Sequence, residues 1–200
     1  MPRCGAVDLA DRPQSRLASH GRLLVGALVV VAVWSAASAE QLSVTALLKH
    51  LDLVEYRAGT KPPDFVGPAL NARPLSLRDL RGKVVIVNFW ASWCLECRPE
   101  MPVLERLHRE LASRGLAIVG INAREEPPAV RGYAEELRLT FPVVLDAAGH
   151  INRRYGVIGL PTTFIVGRDG RAVAFGVGPR HWGSPAARAL LEALLAEPAP

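Results

Sequence analysis

Cysteine is scarce in this chain: Cys4, Cys94 and Cys97 are the only three in 200 residues. That excludes a scaffold stapled by several disulfides. It also excludes zinc sites built from two CxxC pairs, because there is no second pair and His20, His50, His108, His150 and His181 are scattered. Covalent haem attachment needs a histidine after the second cysteine, and Arg98 stands there. Aromatic residues make up only 6% of the chain, and the net charge of +5 comes from no basic run. A nucleic-acid-binding surface therefore has no footprint. Internal repeats and low-complexity tracts are absent too. What remains is a chain half hydrophobic, long enough for one domain with a sizeable core.

Long apolar runs are equally rare. The one example, LLVGALVVVAVWSAASA at Leu23–Ala39, follows Arg3, Arg12, Arg16 and Arg22. A basic flank, an apolar stretch and an Ala37-x-Ala39 site before Glu40 form the pattern of a secretory signal. Its length sits at the lower limit of a bilayer span, so residues 1–39 read either as a cleaved signal or as a retained membrane anchor. Both place the rest of the chain outside the cytoplasm, in the periplasm or an equivalent extracytoplasmic space. No Arg-Arg pair precedes the run and no cysteine directly follows it, so neither a twin-arginine signal nor a lipoprotein anchor is supported. Cys4 stays with the leader, so the exported part carries one close pair, Cys94 and Cys97, in a compartment where disulfides persist.

Residues 40–60 read as a short amphipathic extension, with Leu47, Leu48, Leu51 and Val54 on one helical face. Residues 61–200 read as the main domain. Val84–Phe89 and Leu116–Asn122 are near-continuous apolar runs of the kind buried on both faces of a parallel sheet. Between them, Val103, Leu104, Leu107 and Leu111 form a helical stripe stopped by Gly115. A second stripe, Val130, Tyr133, Ala134 and Leu137, precedes a strand at Val143–Leu145. Thr162–Val166 and Ala172–Val177 flank Asp169-Gly170, a hairpin signal. Ser184-Pro185 caps a last helix with Ala187, Leu190, Leu191 and Leu194 inward. The expectation is an α/β domain: a mixed central sheet, parallel strands first and an antiparallel hairpin last, with helices on both faces.

Cys94 follows a strand end and is placed to open a helix. Unpaired N–H groups and the helix dipole there favour a thiolate, the nucleophile of disulfide exchange. Cys97, one turn on, is the more shielded and serves as resolving thiol. A bridge over so short a loop stabilises far less than a long-range one, so exchange chemistry is the stronger reading.

The stretch GKVVIVNFWASWCLECRPEMPVL, Gly82–Leu104, resembles exported thioredoxins of the TlpA-like and ResA-like family, within the AhpC/TSA–Redoxin superfamily. PPDF at Pro62–Phe65 and GLPTTFIVGRDGR at Gly159–Arg171 resemble further family segments, so the likeness covers Lys61–Glu197. It implies a thioredoxin fold and thiol-disulfide oxidoreductase activity without a bound cofactor. It also implies a cis-Pro161 beside the cysteine pair, Leu160 offering its backbone to substrate, and Trp93 shielding one flank. Disulfides of protein substrates, among them those met in cytochrome c maturation, would be reduced, with electrons from a membrane-embedded thiol donor and the protein acting as a monomer.

The chain departs from the family at three points. Asn88 stands where ordinary thioredoxins carry an aspartate, so that side chain cannot act as a base. Glu96 replaces the proline before the second cysteine. It can tune the Cys94 thiolate electrostatically, pass a proton, or point to water as an ordinary surface acid. Pro99, close to Pro102, predicts an irregular helix start, and Glu100 has no assigned role beyond a cap partner or supporting acid. Two other activities share parts of the pattern. A thiol peroxidase lacks support because NFWASWC has no proline at the required spacing. A Sco-like copper chaperone would need CxxxC and a distal histidine, for which only His150 is available.

Overall fold

The computed structural model describes residues 43–70 and 73–199. The leader and its cleavage site lie outside these residues. None of the described helices is long and apolar enough to cross a membrane.

Seven residues of α1 (Val44–His50) follow Ser43, whose hydroxyl caps the helix by accepting from the Ala46 amide. β1 (Val54–Glu55) comes next, then β2 (Val66–Gly67), β3 (Leu75–Ser76) and a 3₁₀ turn at Leu77–Leu80. The main body alternates β4 (Val84–Trp90), α2 (Glu100–Leu111), β5 (Leu116–Ala123), α3 (Pro127–Glu136), β6 (Val143–Asp146) and α4 (His150–Arg154). It closes with β7 (Thr162–Val166), β8 (Ala172–Val177) and α5 (Pro185–Ala196). Six strands form one sheet in the order β1-β8-β7-β4-β5-β6, while β2 and β3 pair separately. β4, β5 and β6 run parallel, and β7, β8 and β1 alternate antiparallel beside them.

The period-2 alternation of β4 sorts its side chains between two cores. Val84, Ile86 and Trp90 join the side built with α1, α2, α3 and α5. Val85, Val87 and Phe89 face Phe65, Leu80 and the α4 residue Ile151. Helical structure therefore covers both faces, as the sequence predicts. Asn88 shares the first face, the one against α2. Gly120 on β5 makes room there: a Cβ at this position would lie 2.6 Å from the Trp90 indole nitrogen.

Three elements differ from the sequence reading. The first helix ends at His50, and Val54 lies on β1, 56% exposed, paired with Phe175. The helical stripe nonetheless is real up to Leu51, because Leu47, Leu48 and Leu51 are buried in the same core as α5. His150 begins α4 rather than lying in a loop. Cys94 does not open a regular helix: residues 95–99 form successive turns, and α2 begins at Glu100 with Pro99 as its N-cap. Pro99 has no N–H to donate and disfavours helical backbone before it, which is why the helix begins only after it.

Candidate active site

β4 ends at Trp90, and the chain leaves the C-terminal edge of the parallel strands through Ala91–Ser92–Trp93. The Cys94 amide donates to Ala91 O at 3.1 Å, turning the chain back. Cys94 and Cys97 are joined by a disulfide with an S–S distance of 2.04 Å and Cα atoms 5.3 Å apart. The Cys97 amide donates to Cys94 Sγ at 3.2 Å and to Cys94 O at 3.1 Å. A thiolate at Cys94 would thus face a directed N–H even though the α-helix begins six residues later. Cys94 retains 5% of its surface and Cys97 only 1%. The order of shielding expected from the sequence holds, although even Cys94 is largely covered in the disulfide form.

The loop before Cys94 is clamped by Glu125, just beyond the end of β5. The Ser92 amide donates to Glu125 Oε2 at 2.7 Å, the Ser92 hydroxyl donates to Glu125 Oε1, and Asn122 Nδ2 donates to Oε2 at 2.6 Å. Arg98 reaches Ser92 O with its Nε at 3.3 Å and lies over the Tyr133 ring, 5.3 Å from the centroid. Arg98 is therefore committed to the loop and the ring.

Antiparallel pairing of β4 with β7 sets Phe89 opposite Thr162. The register brings Pro161 level with Trp90, at the strand end from which the cysteine loop departs. The Leu160–Pro161 peptide is cis, and Pro161 O accepts from the Gly178 amide at 2.8 Å. Pro161 is buried and Leu160 half-buried. Leu160, Trp93 and Cys94 line one cleft of about 290 Å³ with Arg124 and Ile158. Trp93 and Ile158, exposed at 66% and 90%, line that cleft beside Cys94, and Leu95 next to Cys94 in the chain is 78% exposed. The structure thus brings Cys94, Cys97, Trp93, Leu160 and Pro161 to one edge of the sheet.

The two acids of this segment meet different surroundings. Glu96 is exposed. Glu100 is 4% exposed, on the α2 face that also buries Leu104, Leu107 and Leu111. Its Oε1 accepts from the Arg180 amide at 2.5 Å. Burial away from water raises its pKa to about 7, against the lowering effect of that hydrogen bond and of the Arg180 charge. Asn88 and Trp182 also favour the charged form. Asn88 Nδ2 gives one of its two N–H groups to Thr163 Oγ1 at 2.9 Å, and the Trp182 indole N–H reaches no acceptor at hydrogen-bond distance. Glu100 was legible in one respect: extending the Leu104–Leu107–Leu111 stripe back one turn lands on it. A carboxyl on a buried stripe, one turn after Cys97, is a candidate proton carrier.

Among the described residues no group of three or more His, Cys, Asp or Glu side chains is arranged to hold a metal ion. His150 Nδ1 pairs with Arg153 Nη2 at 2.6 Å.

Known proteins are similar to this chain in sequence and fold. The thiol-disulfide oxidoreductase ResA of Bacillus thuringiensis subsp. konkukian is 37% identical over 115 residues, which cover 58% of this chain and 66% of ResA. The thioredoxin-like protein YneN of Bacillus subtilis is 42% identical over 120 residues, 58% of this chain and 69% of YneN. The chain thus spans about two thirds of the length of these relatives. A thioredoxin-family thiol:disulfide interchange protein from Chlorobium tepidum superposes with a TM-score of 0.62 at 31% identity, covering 72% of this chain and all of that one. The fold is that of thioredoxin. A sequence profile of the AhpC/TSA family matches residues 58–174, and the chain belongs to that family, grouping with its thiol-disulfide oxidoreductases.

Proposed function

We propose that the protein is an exported dithiol oxidoreductase that reduces disulfides of protein substrates. The observation that carries this reading is the Cys94–Cys97 disulfide set beside Leu160 and cis-Pro161, with a buried carboxyl one turn beyond. In the reduced protein the Cys94 thiolate attacks one sulfur of a substrate disulfide. A bond forms between Cys94 Sγ and that sulfur, and the other substrate sulfur leaves as a thiolate that takes up a proton. Cys97 then loses its proton, attacks Cys94 Sγ and expels the second substrate thiolate. Two electrons pass to the substrate, and the Cys94–Cys97 disulfide is left behind.

Glu100 accepts the Cys97 proton. A carboxyl titrating near neutral pH can both take and return it, which an ordinary surface acid does poorly. Asn88, on the same face, cannot. Glu96 is left with electrostatic tuning of Cys94 from solvent. Leu160 presents its backbone to the substrate chain in strand-like fashion, Pro161 fixes that edge, and Trp93 covers one side. A membrane-embedded thiol donor regenerates the dithiol, and no bound cofactor is required. The protein acts as a monomer in the periplasm or an equivalent extracytoplasmic space, delivered by a cleaved signal or held by an anchor at residues 1–39. Apocytochrome c, another oxidoreductase and a metal-site cysteine pair are the substrate classes of suitable chemistry.

The test is stoichiometric. Fully reduced protein, mixed with a disulfide-bonded protein such as insulin, should reduce one disulfide per Cys94/Cys97 pair. Cys94→Ala should abolish the reaction. Persistence of full reduction in Cys94→Ala would exclude this mechanism.

A further inference from the structure

Arg180 sits in the loop between β8 and α5 with a side chain only 10% exposed. Its guanidinium curls back over the main chain. Nη1 donates to Gly178 O at 3.2 Å and Pro179 O at 2.9 Å. Nη2 donates to Val177 O at 3.2 Å and to Asp52 O, in the turn between α1 and β1, at 2.8 Å. The Asp52 carboxylate lies 3.6 Å from Nη2. Gly176 keeps the space open: a Cβ there would come within 2.8 Å of Nη2 and of Leu53 Cδ2. Four carbonyl oxygens from two chain segments therefore fix one side chain. The main-chain N–H of the same residue donates to Glu100 Oε1. A loop locked by its own side chain presents that amide in a set direction, at no further ordering cost when the carboxyl ionises.

We propose that Arg180 is a positioning residue for Glu100: its grip on Asp52 and on its own loop holds its amide on the carboxylate and so sets the pH at which Glu100 exchanges a proton. The inference rests on the reading of Glu100 as proton carrier for Cys97. Other groups act on Glu100 as well. Asn88 approaches from β4 and Trp182 from the Arg180 loop. Glu96 and His181 line the same groove as Glu100. Asp52 offsets part of the Arg180 charge from the α1–β1 turn. Of these, the Arg180 amide is the donor within hydrogen-bond distance of the carboxylate.

The direct readout is Glu100 itself, followed by ¹³C-carboxyl NMR of glutamate-labelled oxidised protein, with Glu100→Gln assigning the signal. Arg180→Gln removes the charge and the fork geometry, and the Glu100 midpoint should rise by about one pH unit. Arg180→Lys keeps the aliphatic stem and the charge but cannot span four carbonyls. It should shift the midpoint in the same direction by less, and it serves if the Gln variant does not fold. The pH profile of substrate release should move with the midpoint, and Arg180→Gln should leave that profile unmoved in a Glu100→Gln background. A Glu100 midpoint at its wild-type pH in either folded variant overturns the proposal. So does a profile shift that survives in the Glu100→Gln background. Absence of exchange in the wild type would instead sink the oxidoreductase reading, with the titration still readable.

Discussion

Two glutamates four residues apart, Glu96 and Glu100, meet opposite surroundings, and their predicted behaviour differs accordingly. Glu100 is buried, and its pKa is raised to about 7 from an ordinary carboxylate value near 4.5. In that window the folded state binds more protons than the unfolded chain. Stability is therefore highest relative to a neutral reference below about pH 4.5 and falls as pH rises through 7. A neutral isostere removes this loss. Glu100→Gln should gain stability over the wild type between pH 5 and pH 8, by roughly 1–3 kcal/mol, read from urea unfolding of the oxidised proteins at both pH values. An unchanged difference would mean that Glu100 ionises as if in water. Glu96 is exposed, so Glu96→Gln should make the reduction potential less negative by roughly 30 mV or less, an effect that shrinks as salt is raised. A glutathione redox titration at two ionic strengths checks it. The cysteine pair was legible in the sequence from its spacing, whereas Trp93 and cis-Pro161 came only through the resemblance of the surrounding segments to known family motifs. The burial of Glu100 was half legible from the helical stripe, but its Arg180 partner lies 80 residues away and no local pattern announces it.

Elements buried on both faces were read with little error, since β4 and β5 are continuous apolar runs and the Ser184-Pro185 signal marks α5 directly. Elements defined by tertiary context were not. β1 is two residues long and exists because β8 offers an open edge to Val54 and Glu55. α4 is a five-residue helix, too short for a repeat. Segment 43–55 is the case with an energetic consequence. Leu48 is 1% exposed and shares a core with the α5 residues Leu190, Leu191 and Leu194. Leu48→Ala should cost about 3 kcal/mol by chemical denaturation, the size expected for a leucine lost from a packed core. A cost under about 0.5 kcal/mol, the surface level, would make this segment an appendage to the domain.

At the scale of the whole molecule, the active-site loop, the cis-Pro161 edge and Glu100 converge near one end of the sheet, where the parallel strands terminate. The covered disulfide lies beside exposed Trp93 and Ile158, an apolar surface that fits the proposed docking of an extended substrate chain. Export belongs to the proposed function, since protein disulfides form and persist outside the cytoplasm. The exported protein should begin at Glu40, as N-terminal sequencing would report, and an intact Met1 or Pro2 terminus recovered only by detergent extraction would identify an anchor instead. The central claim is that Cys94 attacks and Cys97 resolves. The most direct measurement is mass spectrometry of the Cys97→Ala variant after incubation, reduced, with a disulfide-bonded protein. The account predicts a stable one-to-one mixed disulfide through Cys94, and none with Cys94→Ala. An adduct that accumulates through Cys97 in Cys94→Ala, with none through Cys94 in Cys97→Ala, would contradict it.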